Sequence, residues 1–429
     1  MARLRPLRGV RYDTSVVDLG SVLAPPYDVI SAAQQQELYA RDLRNIVRVD
    51  YGAELPGDVA DSDDRYTRAR GHLNSWLGLG ILRRDEAQAL YVTDHEFLGA
   101  DGRRHVRRGI LGRVPARRWE ESEVLPHERT MRGPKEDRLA LMRTTRMQTS
   151  AVWVMWNRAP GIAEALAAAT GRAPDMEGET AGELDVERVR AWVVSDPRHL
   201  AAIDAALDPG TLYIADGHHR FETAAAYAEE RRAAEPDAPD DADFAMTLVY
   251  ASAANDPVLD IWPTHRLVRP VEGMPATVTE LAERLGGDGE FTLKPRADLA
   301  TATDDARQAR VTHHAFGVQT PGGAALLTVP REQTTSPRDA LDVTVLAERV
   351  LGRGLGISAE AVVGGALAYT RDVEEAERAV RSGEAALAFT TNASTAAEII
   401  AVSDAAEVMP QKSTYFYPKV PTGLLLSPL

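Results

Sequence analysis

Apolar and polar positions alternate with period two over residues 89–98 and 105–114, which predicts two paired strands joined by a turn at Gly99-Ala100-Asp101-Gly102. Ala151–Trp156, Thr211–Ala215 and Phe244–Ser252 are short continuous apolar runs, the pattern of buried strands. Val186–Val194 and the β-branched run Asn45–Asp50 read as further strands. Helical spacing appears at Leu73, Trp76 and Leu77, predicting a helix over 66–79. Ser31 with Gln34 three residues on predicts a capped helix start, after a Pro25-Pro26 stretch that favours extended backbone. Pro134 is placed to open a helix reaching about Met147, and 199–207 reads as another helix. Phe221, Ala224, Ala225 and Ala228 follow i, i+3, i+4, i+7 spacing, so a helix begins near His218, directly after the strand ending at Ala215. Beyond Pro270 the pattern loosens to helix, strand, strand, helix. The expected architecture is mixed α/β (α+β), with a body over 1–270 and a C-terminal α/β lobe over 271–429.

Composition narrows the function classes. The chain has 429 residues, 44% hydrophobic and 26% charged, enough for a sizeable core and two or three domains. The formal net charge of −15 argues against a general nucleic-acid surface, though a local basic pocket for a phosphorylated ligand stays compatible with it. There are no cysteines, which excludes disulfides, thiolate nucleophiles, Cys-ligated zinc and iron–sulfur clusters. Neither a secretory leader nor an apolar run of about 18 residues is visible, so a soluble cytoplasmic protein is expected.

The junction Ala215-Asp216-Gly217-His218-His219-Arg220 carries the most chemistry. A strand ends, a glycine lets backbone approach a ligand, and a helix starts whose first N–H groups and dipole favour an anion. Arg220, His218 and His219 add donors, and Asp216 is placed to hold Mg²⁺ or orient a histidine. A plain Asp-Gly turn with locally packed histidines is the bland alternative, and the density of functional side chains weighs against it. Pro126-His127-Glu128-Arg129-Thr130 opens a second candidate: His127 to Arg146 holds six Lys/Arg against three Asp/Glu. Local ion pairing, for example Arg132 with Glu136, accounts equally well for the later part of that segment. Pro263-Thr264-His265-Arg266 supplies two further cationic groups, with a buried histidine and a surface arginine as the competing reading. Asp28, after the rigid Pro25-Pro26 loop, suits a carboxylate base or an ordinary turn. Lys412 and Lys419 flank an aromatic segment near the C-terminus that reads chiefly as a final packed strand. An acidic chain that binds a polyphosphate must gather cations locally, so His127, Arg129, His265 and Arg266 are expected to converge on the Arg220 pocket.

Ala24-Pro25-Pro26-Tyr27-Asp28-Val29-Ile30, Pro126–Thr130, Ala215–Arg220, Pro263–Arg266 and Lys412–Lys419 follow one another along nearly the whole chain. In this order they resemble a broad prokaryotic family known as domain of unknown function 1015. The Asp216–Arg220 string is also similar to the nucleotide-phosphate motif of the ParB/sulfiredoxin superfamily. That likeness implies a ParB/sulfiredoxin-like core with large additions. Sulfiredoxin chemistry needs a cysteine where this chain has His218. The partitioning CTPases carry a Glu-Arg-Arg type motif and a DNA-binding element, where this chain has His218-His219 and an acidic balance. Free-serine kinases carry the same Asp-Gly-His-His-Arg string.

The resemblance therefore implies a nucleotide-dependent small-molecule kinase with free L-serine as leading acceptor, ATP or ADP as donor (CTP remaining open) and Mg²⁺. Gly217, His218, His219 and Arg220 would cradle phosphates, joined by His127, Arg129, His265, Arg266 and Lys412. Asp28 is the first choice for the carboxylate that orients the acceptor hydroxyl, because the related kinases place theirs early in the chain. Asp216 and Glu128 are the other candidates. A nucleotide-binding switch or slow NTPase acting through a protein partner, and a divalent-metal hydrolase, are the competing classes.

Overall fold

The computed structural model describes residues 4–130, 132–207, 210–286 and 289–429, with backbone alone at 132–134. Contacts divide the chain into two compact units: Met1–Pro126 with Thr130–Asp260 and Pro418–Leu429, and His127–Arg129 with Ile261–Tyr417. The division at Asp260/Ile261 precedes the expected one at 270, because the strand His265–Val268 pairs with Leu367–Thr370 and Leu387–Thr390 of the second unit.

The first unit is built on an eight-stranded mixed sheet. Its order is Val124–Leu125, Leu212–Asp216, Val152–Trp156, Met246–Ala253, Arg104–Pro115, Leu90–Leu98, Val186–Val194 and Met176–Ala181. The predicted hairpin is present, with Tyr91 opposite Leu111 and Leu98 opposite Arg104. Leu212–Asp216 runs parallel to Val124–Leu125 and antiparallel to Val152–Trp156. Alternate residues of the central strands (Val152, Val154, Leu212, Ile214, Val249, Ala251) face one core, with Ala165, Leu166 and Ile203 from the helices Ile162–Ala169 and Pro197–Leu207. Helix His218–Ala234 buries Ala224, Tyr227 and Ala228 with Met142 of the helix Arg132–Thr145 and with Phe244. The proposed Arg132–Glu136 pair lies outside the described side chains.

The second unit carries a six-stranded antiparallel sheet in the order Thr292–Arg296, Gly323–Pro330, His313–Thr320, Leu387–Thr390, His265–Val268 and Leu367–Thr370. Its two faces bury separate clusters. Phe316, Val318, Leu327, Leu387 and Phe389 pack with Leu281, Leu285 and Val350, whereas Leu267 and Ala388 pack with Leu299, Ala376 and Val380. This sheet, covered by helices on both faces, is richer than the four elements expected from the pattern. Among the described residues no helix is long and apolar enough to cross a membrane.

Several sequence expectations need correction. Asn45–Asp50 is not a strand; Val47–Asp50 is a helical turn. The cause is Asn45, fully buried, whose side-chain oxygen accepts from Val47 N (3.0 Å) while its amide donates to Ser21 O (2.8 Å) and Leu23 O (2.9 Å). A side chain that offers the backbone a local partner overrides the β-branched propensity of Ile46, Val47 and Val49. Phe244 lies in a 3₁₀ turn, Asp243–Ala245, before the strand begins at Met246. Tyr27–Val29 is likewise a short 3₁₀ turn. The capped helix at Ser31 is as expected, with Ser31 and Gln34 bonding reciprocally.

Replacing Asn45 by Ala removes three hydrogen bonds and leaves buried carbonyls unpaired. Urea denaturation is expected to show a loss of about 1–3 kcal/mol with an unchanged denaturant slope.

Candidate functional site

The strand Leu212–Asp216 hands over to the helix His218–Ala234 through Gly217, whose φ of 94° is the left-handed region that favours glycine. A Cβ there would stand 2.8 Å from Arg220 Nε and 2.9 Å from its Cζ, so the guanidinium packs where a side chain would otherwise be. No side chain caps the helix N-terminus. Its first-turn N–H groups therefore keep the partial positive charge that attracts an anion.

Asp216 is the hub. One oxygen accepts from Arg220 Nη2 and the other from Lys419 Nζ, with side-chain exposures of only 15%, 8% and 10% for Asp216, Arg220 and Lys419. Arg220 also donates to Ala151 O, tying the helix to the neighbouring strand. Burial alone would raise the carboxyl pKa of Asp216; Lys419 and Arg220 outweigh it and hold the group well below the usual carboxylate range. Arg220 loses solvation, but Asp216, Asp28, Tyr27 and Asp50 hold its pKa up.

Around this hub lies a second buried pair. Arg138 donates to Asp50 O (2.6 Å) and reaches Asp50 Oδ1 (3.3 Å), which also accepts from Thr149 Oγ1 (2.6 Å). The Arg138 guanidinium sits 4.1 Å above the Tyr27 ring. Burial, and then Asp28, push the Tyr27 phenol up. A cavity of about 30 Å³, room for about one water, is lined by Asp50, Arg138, Thr149, Ser150, Arg220 and Thr223. Asp28 itself is exposed on its 3₁₀ turn.

Other candidates fall within the second unit. Glu128 bridges to Met409, whose N–H donates to His127 O (2.8 Å), and His127 Nε2 lies 3.1 Å from Thr414 Oγ1. Arg266 is 4% exposed, its guanidinium 5.8 Å from the Tyr369 ring. Burial lowers its pKa to about 10, against the opposing influence of Tyr369 and Glu128. His265 accepts at Nδ1 from Thr391 N (3.2 Å); burial and then Arg266 lower its pKa to about 4, leaving it uncharged at neutral pH. The expected surface arginine is thus a buried one. Arg129 and Lys412 are exposed.

The structure thus brings Asp28, Asp216, Gly217 and Arg220 into one electrostatic cluster and adds Lys419, Asp50, Arg138 and Tyr27. Lys419 was half legible: the motif holds two lysines, and the one that reaches Asp216 is followed by buried chain at Val420 and Thr422. In sequence Asp50 is hidden at the end of a β-branched run that reads as a strand, and Arg138 among the many local partners its segment offers. Both oxygens of Asp216 are committed to cations, so its surroundings do not fit the expected Mg²⁺ ligand.

The family model described as a protein of unknown function (DUF1015) matches residues 4–344. None of the curated proteins matches the chain. Among solved structures, a free serine kinase in complex with AMP is 14% identical, over 68% of this chain and 83% of that one, with a TM-score of 0.35. A mutant free serine kinase in complex with ADP is 13% identical over 68% and 84%, with a TM-score of 0.35. SbnI from Staphylococcus aureus, truncated at its C-terminus, is 11% identical over 73% and 85%, with a TM-score of 0.33.

Removing the hub charge leaves Arg220 and Lys419 buried without their shared anion, so Asp216→Asn is expected to cost about 3–5 kcal/mol. Because its folded pKa is depressed, Asp216 contributes stability in full above the unfolded value of about 3.9, and the contribution is lost as pH falls through the folded value. Denaturation of wild type and Asp216→Asn across pH 2–7 checks this: the stability gap should narrow toward the acid end. Lys419→Met should destabilise the chain and Lys412→Met should not.

Proposed function

We propose that this chain, which belongs to the DUF1015 family, is a nucleotide-dependent kinase for a small hydroxyl-bearing metabolite, with free L-serine the leading acceptor. The observation that carries the reading is the junction at Gly217: an uncapped helix N-terminus flanked by two cations, Arg220 and Lys419, that one carboxylate holds in place. The Asp216-Gly217-His218-His219-Arg220 string that builds it is the one free-serine kinases share.

In this reading the first-turn N–H groups, His218, His219 and Arg220 hold the phosphates. Asp216 is a positioning residue, since it fixes Arg220 and Lys419 rather than facing the ligand. Asp28 accepts the proton of the acceptor hydroxyl while that oxygen attacks the terminal phosphorus and the bridging P–O bond breaks. Its exposure and its charge, felt by Arg220 and Tyr27, suit this task. Mg²⁺ would accompany the nucleotide as the counter-ion of its phosphates.

Thermal-shift titration with ATP, ADP and CTP, with and without Mg²⁺, followed by product analysis with serine, tests the reading. Arg220 contacts charge present in ground and transition states, so Arg220→Ala should abolish binding. Asp28→Asn should bind normally and lose about 10²–10⁴-fold in transfer rate. Binding without phosphoserine formation would favour the switch, and full transfer by Asp28→Asn would remove Asp28 from catalysis.

A further inference from the structure

A larger cavity lies in the first unit, lined by residues on one side of the helix His218–Ala234. It measures about 390 Å³, within the usual range for small-molecule sites, and runs beside that helix from Glu222 to Glu229. Trp119, Leu139, Ala225 and Ala226 give it an apolar wall, and charged groups of both signs, Lys135 and Glu222 among them, surround it.

Trp119 is held on two sides. Its ring stacks on Phe221, centroids 4.6 Å apart and planes within 12°. Its Nε1–H donates to Glu222 Oε1 (2.5 Å), and Glu222 is fixed in turn by Thr130 Oγ1 (2.5 Å) and Lys135 Nζ (2.7 Å). The indole also lies 6.5 Å, centroid to centroid, from the His218 imidazole, at the start of the helix. Fixing an aromatic ring beforehand lowers the ordering cost of stacking a planar ligand on it. Glu222 is four residues, and Ala226 eight, from His218, about 6 and 12 Å along the helix. A nucleotide spans that distance between its phosphates and its base.

We propose that this cavity is the base subsite of the nucleotide whose phosphates sit at the Gly217 junction, with Trp119 as the stacking platform for a flat heteroaromatic base. The inference rests on the phosphate-binding reading above. Glu222 is a positioning residue here, acting through the indole.

Calorimetric titration of the full chain with ATP and with inorganic tripolyphosphate, both with Mg²⁺, separates the two ideas, because tripolyphosphate carries the charge without the base. Wild type should bind ATP about 10-fold or more tightly than tripolyphosphate. Trp119→Leu should bring ATP down to the tripolyphosphate level and leave tripolyphosphate unchanged, while Trp119→Phe should retain most of the preference. Ala226→Leu, which narrows the cavity from its helix wall, should act like Trp119→Leu even if that variant folds poorly. An unchanged ATP-to-tripolyphosphate ratio in Ala226→Leu or in folded Trp119→Leu overturns the base subsite and leaves the phosphate reading standing. ATP binding that depends on Trp119 with no tripolyphosphate binding in wild type does the reverse. Failure of both ligands to bind wild type sinks both.

Discussion

The candidate site depends on one buried carboxylate shared by two cations. Asp216 sits at the end of a central strand, Arg220 one turn into the following helix, and Lys419 on a segment 203 residues further along. None of the three is stable in the interior alone, since an unpaired buried charge costs several kcal/mol. Together they fix the angle at which the helix leaves the sheet and bind Pro418–Leu429 to the first unit. The glycine between strand and helix follows from the same arrangement, because the guanidinium occupies the volume next to its Cα.

The sheet uses a related solution further from the junction. Arg107, fully buried, lies 3.9 Å over the Trp153 ring, donates to Tyr250 Oη (3.2 Å) and lies 3.3 Å from His95 Nδ1. His95 Nε2 meets Glu187 (2.7 Å), so four strands are cross-linked by one chain of polar contacts. Such networks are worth keeping only when each member is satisfied. They register the strands, whereas the Asp216 hub positions groups at the sheet's end.

Legibility in the sequence followed the range of the deciding interaction. Elements fixed by periodicity or by contacts within a few residues were readable: the hairpin 90–115, the box at Ser31 and Gln34, and the helix from His218. So was the junction motif, because its glycine, histidines and arginine are contiguous. What failed depended on distant partners. Asn45 turns its segment helical by bonding to Ser21 and Leu23, invisible in a β-branched run. Lys419, rather than Lys412, meets Asp216 because of how the chain returns, which no local pattern encodes. Arg266 reads either as a ligand-binding cation or as a surface arginine, yet it is buried with His265, because their strand is interior to its sheet.

The return of Pro418–Leu429 to the first unit makes the stretch Ile261–Tyr417 a long excursion between two parts of one body. During synthesis, Asp216 and Arg220 emerge well before the lysine that completes their triad. At about 5–20 residues per second, 203 residues take roughly 10–40 s to translate. Once Met246–Ala253 has been made, the nascent first unit has its main sheet and its helix but still lacks one of the two cations that neutralise Asp216. The second unit has all six strands of its main sheet by Thr390 and can fold while the first waits. Vectorial synthesis therefore sets an order in which the inserted unit matures first and the triad at the start of the helix closes last.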